Sequence, residues 1–298
     1  IVVLVNDETA SASEITSGSL QDLDRAVVLG TRTYGKGLVQ VSMDLPYNGT
    51  LKLTSSKYYI PSGRCIQAIN YKHANGGYTE HVPDSLTHVF HTANGREVRD
   101  GGGIKPDVEV RPDSLPNIAF YLASSGRDST EVMWNWELQY IKKHPTIGPA
   151  KTFVISDADF EDFKQAVLKS GFKYDRESKK YLENLVKLAK FEGYYDDAKG
   201  EFDALEKKLN HNLAKDLDYN KQTLKKVLTS DLVSAYYYQK GSLENSLQFD
   251  KQWKKAVEIL KNPAEYKKLL QPVVGQPLVK LEPASNVAVD KKQKSKAK

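Results

Sequence analysis

The first thirty residues constrain the fold most tightly. Two short apolar runs, Ile1 to Val5 and Ala26 to Leu29, stand on either side of a stretch with helical spacing from about Ser11 to Asp24. Apolar runs of this length, the second closed by Gly30, read as strands, and the helical stretch between them makes the region mixed α/β. After Gly35-Lys36-Gly37 the residues Leu38, Gln40 and Ser42 alternate with Val39, Val41 and Met43, a period of two that predicts another strand. Pro46-Tyr47-Asn48-Gly49 then turns the chain into Leu51–Thr54 and on to Lys57–Ile60.

Farther along, the pattern changes twice. From Ala68 to Asp100 a polar segment holds four of the six histidines and two Asn-Gly turns, and it reads as a surface excursion inserted into the α/β region. Gly101-Gly102-Gly103 returns the chain to an apolar run, Ile104 to Val110, after which helical spacing dominates: Phe160, Phe163 and Val167, then Leu182, Val186 and Ala189, then Phe202, Leu205 and Leu209. A chain of 298 residues exceeds the usual single-domain size. The expected organisation is an α/β part over 1–112 with an excursion near 68–100, a helical domain over 113–270, and a lysine-rich disordered tail over 271–298.

Charge excludes less than it suggests. The net charge is +5, yet residues 283–298 hold five lysines against one aspartate and so supply +4 by themselves. The remainder is close to neutral, which argues for a solvated tail and against a nucleic-acid surface. The single cysteine, Cys65, cannot form an intramolecular disulfide and reads as a small apolar filler. No apolar stretch approaches the roughly 20 residues that span a bilayer. Ile1 opens in mid-strand without an initiator methionine, so the chain reads as a truncated or cleaved product and its lack of a signal peptide says nothing about location.

Two residues invite chemistry. Ser11 follows a strand and loop, and Glu14 three residues later makes a capping box, so Ser11 reads as a helix cap on local grounds. The same placement suits a nucleophile, because a helix N-terminus offers free amides, Ala12 N–H first among them, to a developing oxyanion. Lys36 lies 25 residues farther on. Gly30 to Lys36 fits seven positions of a phosphate-binding loop, but Gly37 replaces the hydroxyl residue and the motif opens a strand instead of a helix, which excludes that reading. Lys36 on an exposed turn is the plain alternative, whereas a lysine made neutral by burial would be a base for Ser11. His88 and His91 lack the companions of a metal site. Tyr236, Tyr237 and Tyr238 have helical spacing and read as packing residues.

Four segments together resemble a known family. VLVNDETASASE (3–14), GTRTYGKGLVQ (30–40), KYYIPSGR (57–64) and GGGIKPD (101–107) are similar, in order and spacing, to the carboxyl-terminal processing peptidases, or tail-specific proteases. The resemblance implies that Ser11 is the nucleophile, Lys36 the general base and Gln40 the residue that orients the lysine. Gln40 shares a strand face with position 36 but would lie about 13 Å away in a straight strand, so contact requires a bend, which Gly35 and Gly37 permit. Glu14 and Asp22 stand where some members use an acid; Glu14 reads as a cap partner and Asp22, some 16 Å along the helix axis from Ser11, as no closer than a second layer.

The fold implied is a crotonase-like or ClpP-like α/β core, with only its C-terminal half in this chain, followed by a helical domain. The upstream core and a PDZ domain that recognises substrate C-termini lie outside these residues. The implied setting is the bacterial periplasm, with protein substrates, a lipoprotein adaptor and an oligomer among the partners; no cofactor, metal, nucleic acid or membrane span is expected. A noncatalytic peptide- or adaptor-binding scaffold of the same fold is the rival reading.

Overall fold

The computed structural model describes residues 1–68, 84–124, 130–174, 177–209 and 212–272. They form two compact units, one of residues 1–112 with those from Lys251 onward, the other of residues 113–250.

In the first unit, β1 (Val2–Val5), α1 (Ala12–Asp22) and β2 (Val27–Gly30) make a βαβ turn in which the two strands run parallel, Val2 beside Val27 and Val5 beside Gly30. A short strand from Val108 to Glu109 adds to the other side of β2, also parallel. Sheets of this kind are apolar on both faces because both are covered. Val5 and Val28 face a cluster with Ile60, Ile66 and Ile104, and Gly18 lets α1 close onto that cluster, since a Cβ there would meet Ile104 at 2.6 Å. The opposite face, through Leu29, packs on Ala256 and Ile259 of a helix at Lys251–Lys261, with Tyr266 and Leu269 beside it. The helices of 251–269 therefore belong to the α/β unit, where 113–270 had been expected as one helical block. The cause is the apolar sheet face at Leu29, which Ala256 and Ile259 cover.

Two hairpins complete this unit. The strand predicted after Gly37 is β3 (Leu38–Leu45), antiparallel to β4 (Gly49–Lys57) with a register irregularity between Val39 and Gln40. Its period of two is real but its apolar side, including Val41, Met43, Leu51 and Leu53, is exposed. A second hairpin pairs Val89–His91 with Glu97–Arg99. Its Thr92, Arg96 and Val98 are buried, whereas Leu86 and Val89 before them are exposed, so the returning arm of the expected excursion is held in the unit; residues 69–83 and the tail from 273 lie outside the described residues. Arg96 is what draws the hairpin inward, bonding Asp24 at 2.6 Å, Asp107 at 2.5 Å and the Gln21 carbonyl at 3.0 Å.

The second unit is helical. A capping box of Ser156 and Asp159 starts the helix Asp157–Ser170, and Gly171 in the left-handed region ends it. Phe160, Phe163 and Val167 of that helix meet Trp136 of Val132–Lys143 and Leu224, Leu228 and Leu232 of Lys221–Ser246 in one core. The tyrosines 236–238 are not core packing: Tyr236 donates to the carbonyl of His144, Tyr237 lies 3.1 Å from the carbonyls of Ile147 and Gly148, and Tyr238 is exposed at a break in the helix with φ 58°.

One carboxyl in this unit links stability to pH. Burial, and then the neighbouring Asp231 carboxyl, push Glu137 up from its ordinary 4.5 to about 8. The folded state thus keeps a proton that the unfolded chain releases, so this contribution is intact below pH 4.5 and is lost as pH rises toward 8. Thermal melts should show Glu137→Gln gaining on the unsubstituted chain between pH 5 and pH 8, by a few kcal/mol; parallel curves across that range would contradict the assignment.

Candidate active site

Ser11 occupies the corner between β1 and α1, and its backbone departs from that of an ordinary cap. Helix caps take extended dihedrals, whereas Ser11 has φ 56° and ψ −119°. A serine in that region is strained by roughly 1–3 kcal/mol and persists only where its surroundings impose it; nucleophiles on sharp strand-to-helix turns are held this way. The Glu14 and Ile15 amides reach the Ser11 carbonyl at 2.9 and 3.0 Å, and Ser11 and Glu14 stand in a capping-box arrangement. Among the described residues the Ala12 amide has no acceptor.

Glu14 does the imposing. Its carboxylate is fully buried. One oxygen accepts from the Ser11 amide at 2.9 Å and the Lys36 amide at 2.9 Å; the other accepts from the Gly35 amide at 2.7 Å and the Thr33 hydroxyl at 2.5 Å. Four donors fill the four acceptor positions of a carboxylate. The reading of Glu14 as a cap partner is therefore right for one bond and blind to three. Thr33 extends the clasp into the core, its oxygen accepting from the Ile104 amide at 2.6 Å. Gly35 stands at φ 87°, where a Cβ would meet that of Ala68 at 2.4 Å, so the lysine turn needs glycine there for both conformation and space.

Tyr58 makes a second tie. Its hydroxyl donates to the Lys36 carbonyl and lies 3.4 Å from the carbonyl of Ser11. Burial first, and the charge of Glu14 next, push its phenol up to about 12, so it stays a neutral donor at any working pH. Local sequence offers no sign of this role, since Tyr58 is 22 residues beyond Lys36.

The backbones of Ser11 and Lys36 are thus brought together, while the side chains of Lys36 and Gln40 are exposed. The burial expected of the lysine is not supplied by the described residues: Gly35 and Gly37 on either side are buried, and the Lys36 side chain is exposed. Gln40 follows the irregularity in β3, a distortion at the place where a bend is required.

Asp22 lies at the other end of α1 and works there. It is fully buried, pairs with Arg64 at 2.8 Å and accepts from the Ser62 amide at 3.0 Å. Arg64 also reaches Gln21 at 2.8 Å and the Arg99 carbonyl at 3.1 Å. Its guanidinium is lowered from the usual arginine range by burial, against the pull of Asp22. Asp22 therefore fixes the helix that carries Ser11 and does not approach the serine itself. Among the described residues there is no group of three or more metal-ligating side chains, and His88 is turned to Asp100 at 3.1 Å.

Comparison with known proteins agrees with the motifs. Residues 1–73 match Peptidase family S41, and residues 120–260 match a family described as "Probable PDZ-protease, C-terminal helical domain". A carboxy-terminal-processing protease of Bartonella bacilliformis is 54% identical over 69 residues, 23% of this chain and 16% of that protein. The chloroplastic C-terminal processing peptidase of Tetradesmus obliquus is 33% identical over 116 residues, 39% of this chain and 18% of its own length. A CtpA-like serine protease of Staphylococcus aureus is 28% identical over 192 residues, 63% of this chain and 27% of its own. The resemblance to carboxyl-terminal processing peptidases is shown, and the chain spans only a minor part of these relatives. No helix among the described residues is long and apolar enough to cross a membrane.

Two substitutions test the clasp and the strut separately. Glu14→Gln sets an amide donor among four donors and should cost at least about 3 kcal/mol in urea unfolding; a loss below about 0.5 kcal/mol would show that the carboxylate does not hold the two loops. Asp22→Ala strands a buried guanidinium and should cost about 3–5 kcal/mol, much of it recovered when Arg64 is also changed to Met. Equal losses in the single and double variants would sink the pairing.

Proposed function

We propose that this chain is the C-terminal part of a carboxyl-terminal processing serine peptidase, in which Ser11 attacks a peptide carbonyl after passing its proton to Lys36. The observation that carries the reading is the single buried carboxylate that receives the amides of both residues. A binding scaffold has no need to hold a strained serine and a glycine-bound lysine on one acceptor, and the match of residues 1–73 to family S41 supports the same assignment.

The steps follow from the groups in place. Attack by the Ser11 oxygen forms a tetrahedral adduct whose oxyanion is held by the unengaged Ala12 amide. Lys36, having taken the serine proton, gives it to the leaving amine as the C–N bond breaks, which leaves an acyl-serine. The amine of Lys36, neutral again, then takes a proton from water, whose oxygen adds to the ester, and returns it to the serine as the acyl bond breaks. Gln40 serves as an orienting amide, whose oxygen can accept from the lysine amine without adding charge. A lysine works as a base when its surroundings exclude water. We assign that cover to the bound substrate chain and to the upstream half of a crotonase-like core, with a PDZ domain selecting substrates by their C-terminal tails. The setting proposed is the periplasm of a Gram-negative bacterium, where a lipoprotein adaptor and self-association would act through the helical unit.

The complete enzyme decides the matter with an unstructured protein substrate. Ser11→Ala and Lys36→Ala should each reduce kcat by about a thousandfold or more, with Gln40→Ala intermediate and substrate affinity little changed. Cleavage at the unsubstituted rate by either of the first two would overturn the mechanism, and binding without cleavage by the unsubstituted enzyme would favour the scaffold.

A further inference from the structure

The helical unit carries a cavity of about 660 Å³ between the helices Val132–Lys143 and Lys221–Ser246. Its walls include Leu122, Met133, Ile141 and Leu232, and its lining among the described residues holds three carboxyl residues, Glu131, Glu137 and Asp231, and no base. Glu137 is more than nine-tenths buried. Asp231 stands beside it, and burial and that neighbour push the Glu137 carboxyl up, while its Oε1 has no hydrogen-bond partner among the described residues. A buried acceptor left unmatched costs about 1–3 kcal/mol, and neither acid is paired with a lysine or arginine among the described residues. At the rim Trp134 is 61% exposed and Leu138 is 38% exposed.

These features describe a receptor for a particular shape. Acids without a base beside them among the described residues favour a cationic partner. The acceptors are Oε1 of Glu137 and the carboxyl of Asp231, which line the cavity together with Leu122, Met133, Ile141 and Leu232. A planar guanidinium offers several donors in a fixed fork and sheds water more readily than an ammonium. The cavity is larger than one such group, and its exposed apolar rim has area to spare for residues on either side.

We propose that this cavity is a docking pocket for an arginine side chain of a partner polypeptide, whose guanidinium bonds Glu137 and Asp231 while its apolar neighbours cover Trp134 and Leu138. The site is independent of the proposed peptidase chemistry. It uses none of the residues around Ser11 and Lys36.

The test uses the full chain and a fluorescein-labelled peptide with the core Leu-Arg-Leu between alanines, read by anisotropy. The arginine peptide should bind at least about tenfold more tightly than its citrulline counterpart, which keeps the shape and loses the charge. Asp231→Asn should remove that preference, and a cooperative melt at pH 7 should show that the variant is still folded, at a midpoint that can differ because Asp231 stands beside Glu137. Trp134→Ala, also at an exposed position, should weaken the arginine peptide while leaving free arginine amide unaffected. Equal binding of the arginine and citrulline peptides, or a full arginine preference in the Asp231→Asn protein, would overturn the proposal. Competition by free arginine amide as strong as by the peptide would overturn the polypeptide partner, since the rim would then contribute nothing.

Discussion

A single carboxylate governs the first unit. Glu14 accepts from Ser11, Thr33, Gly35 and Lys36, and each of those bonds constrains something that would otherwise relax. Ser11 would leave its left-handed dihedrals for the extended ones of an ordinary cap. The Gly35-Lys36-Gly37 turn, with two residues that have little conformational preference, would lose its place beside α1. Burial is what makes the arrangement strong, because the competing water is excluded and four donors would each be left unmatched without the acid.

The clasp can act only if α1 is itself fixed, and the helix is held from both ends. Near its start Glu14 turns inward; near its end Asp22 does so, onto Arg64 and the Ser62 amide. Between them Gly18 permits close approach to Ile60 and Ile104. Arg96, Asp24 and Asp107 bind the second hairpin and the strand at Val108 into the same network. Two buried acids on one helix thus have different duties. One shapes the serine corner, and the other anchors the scaffold on which that corner stands.

The helical unit follows the opposite economy of charge. Where both oxygens of Glu14 and of Asp22 have partners, Oε1 of Glu137 has none among the described residues. That difference separates a structural acid from one that a ligand could complete, and it also makes the unit sensitive to pH. The three tyrosines of its long helix differ in the same way from simple packing residues, since two of them satisfy carbonyls of the 144–148 segment.

Much of the local structure was legible in the chain. The apolar runs at Val2–Val5 and Val27–Leu29, the helix between them, the alternation along Leu38–Met43 and the helical spacing of Phe160, Phe163 and Val167 depend on neighbours a few residues apart, and periodicity records such relations. Four ordered motifs also singled out Ser11, Lys36 and Gln40. What periodicity does not record is closure over distance. The bonds from Glu14 to Thr33, Gly35 and Lys36, the hydroxyl of Tyr58 at Lys36, and the burial of Arg96 between Asp24 and Asp107 all join residues 19 to 72 positions apart or bring separate elements together. Nor could the spacing of Ala256 and Ile259 say that their helix covers Leu29. Sequence by itself therefore determined which elements form and which residues are chemically suited to act. Tertiary structure decided which buried acid holds the serine and the lysine turn, because a carboxylate binds whatever donors the folded chain delivers to it.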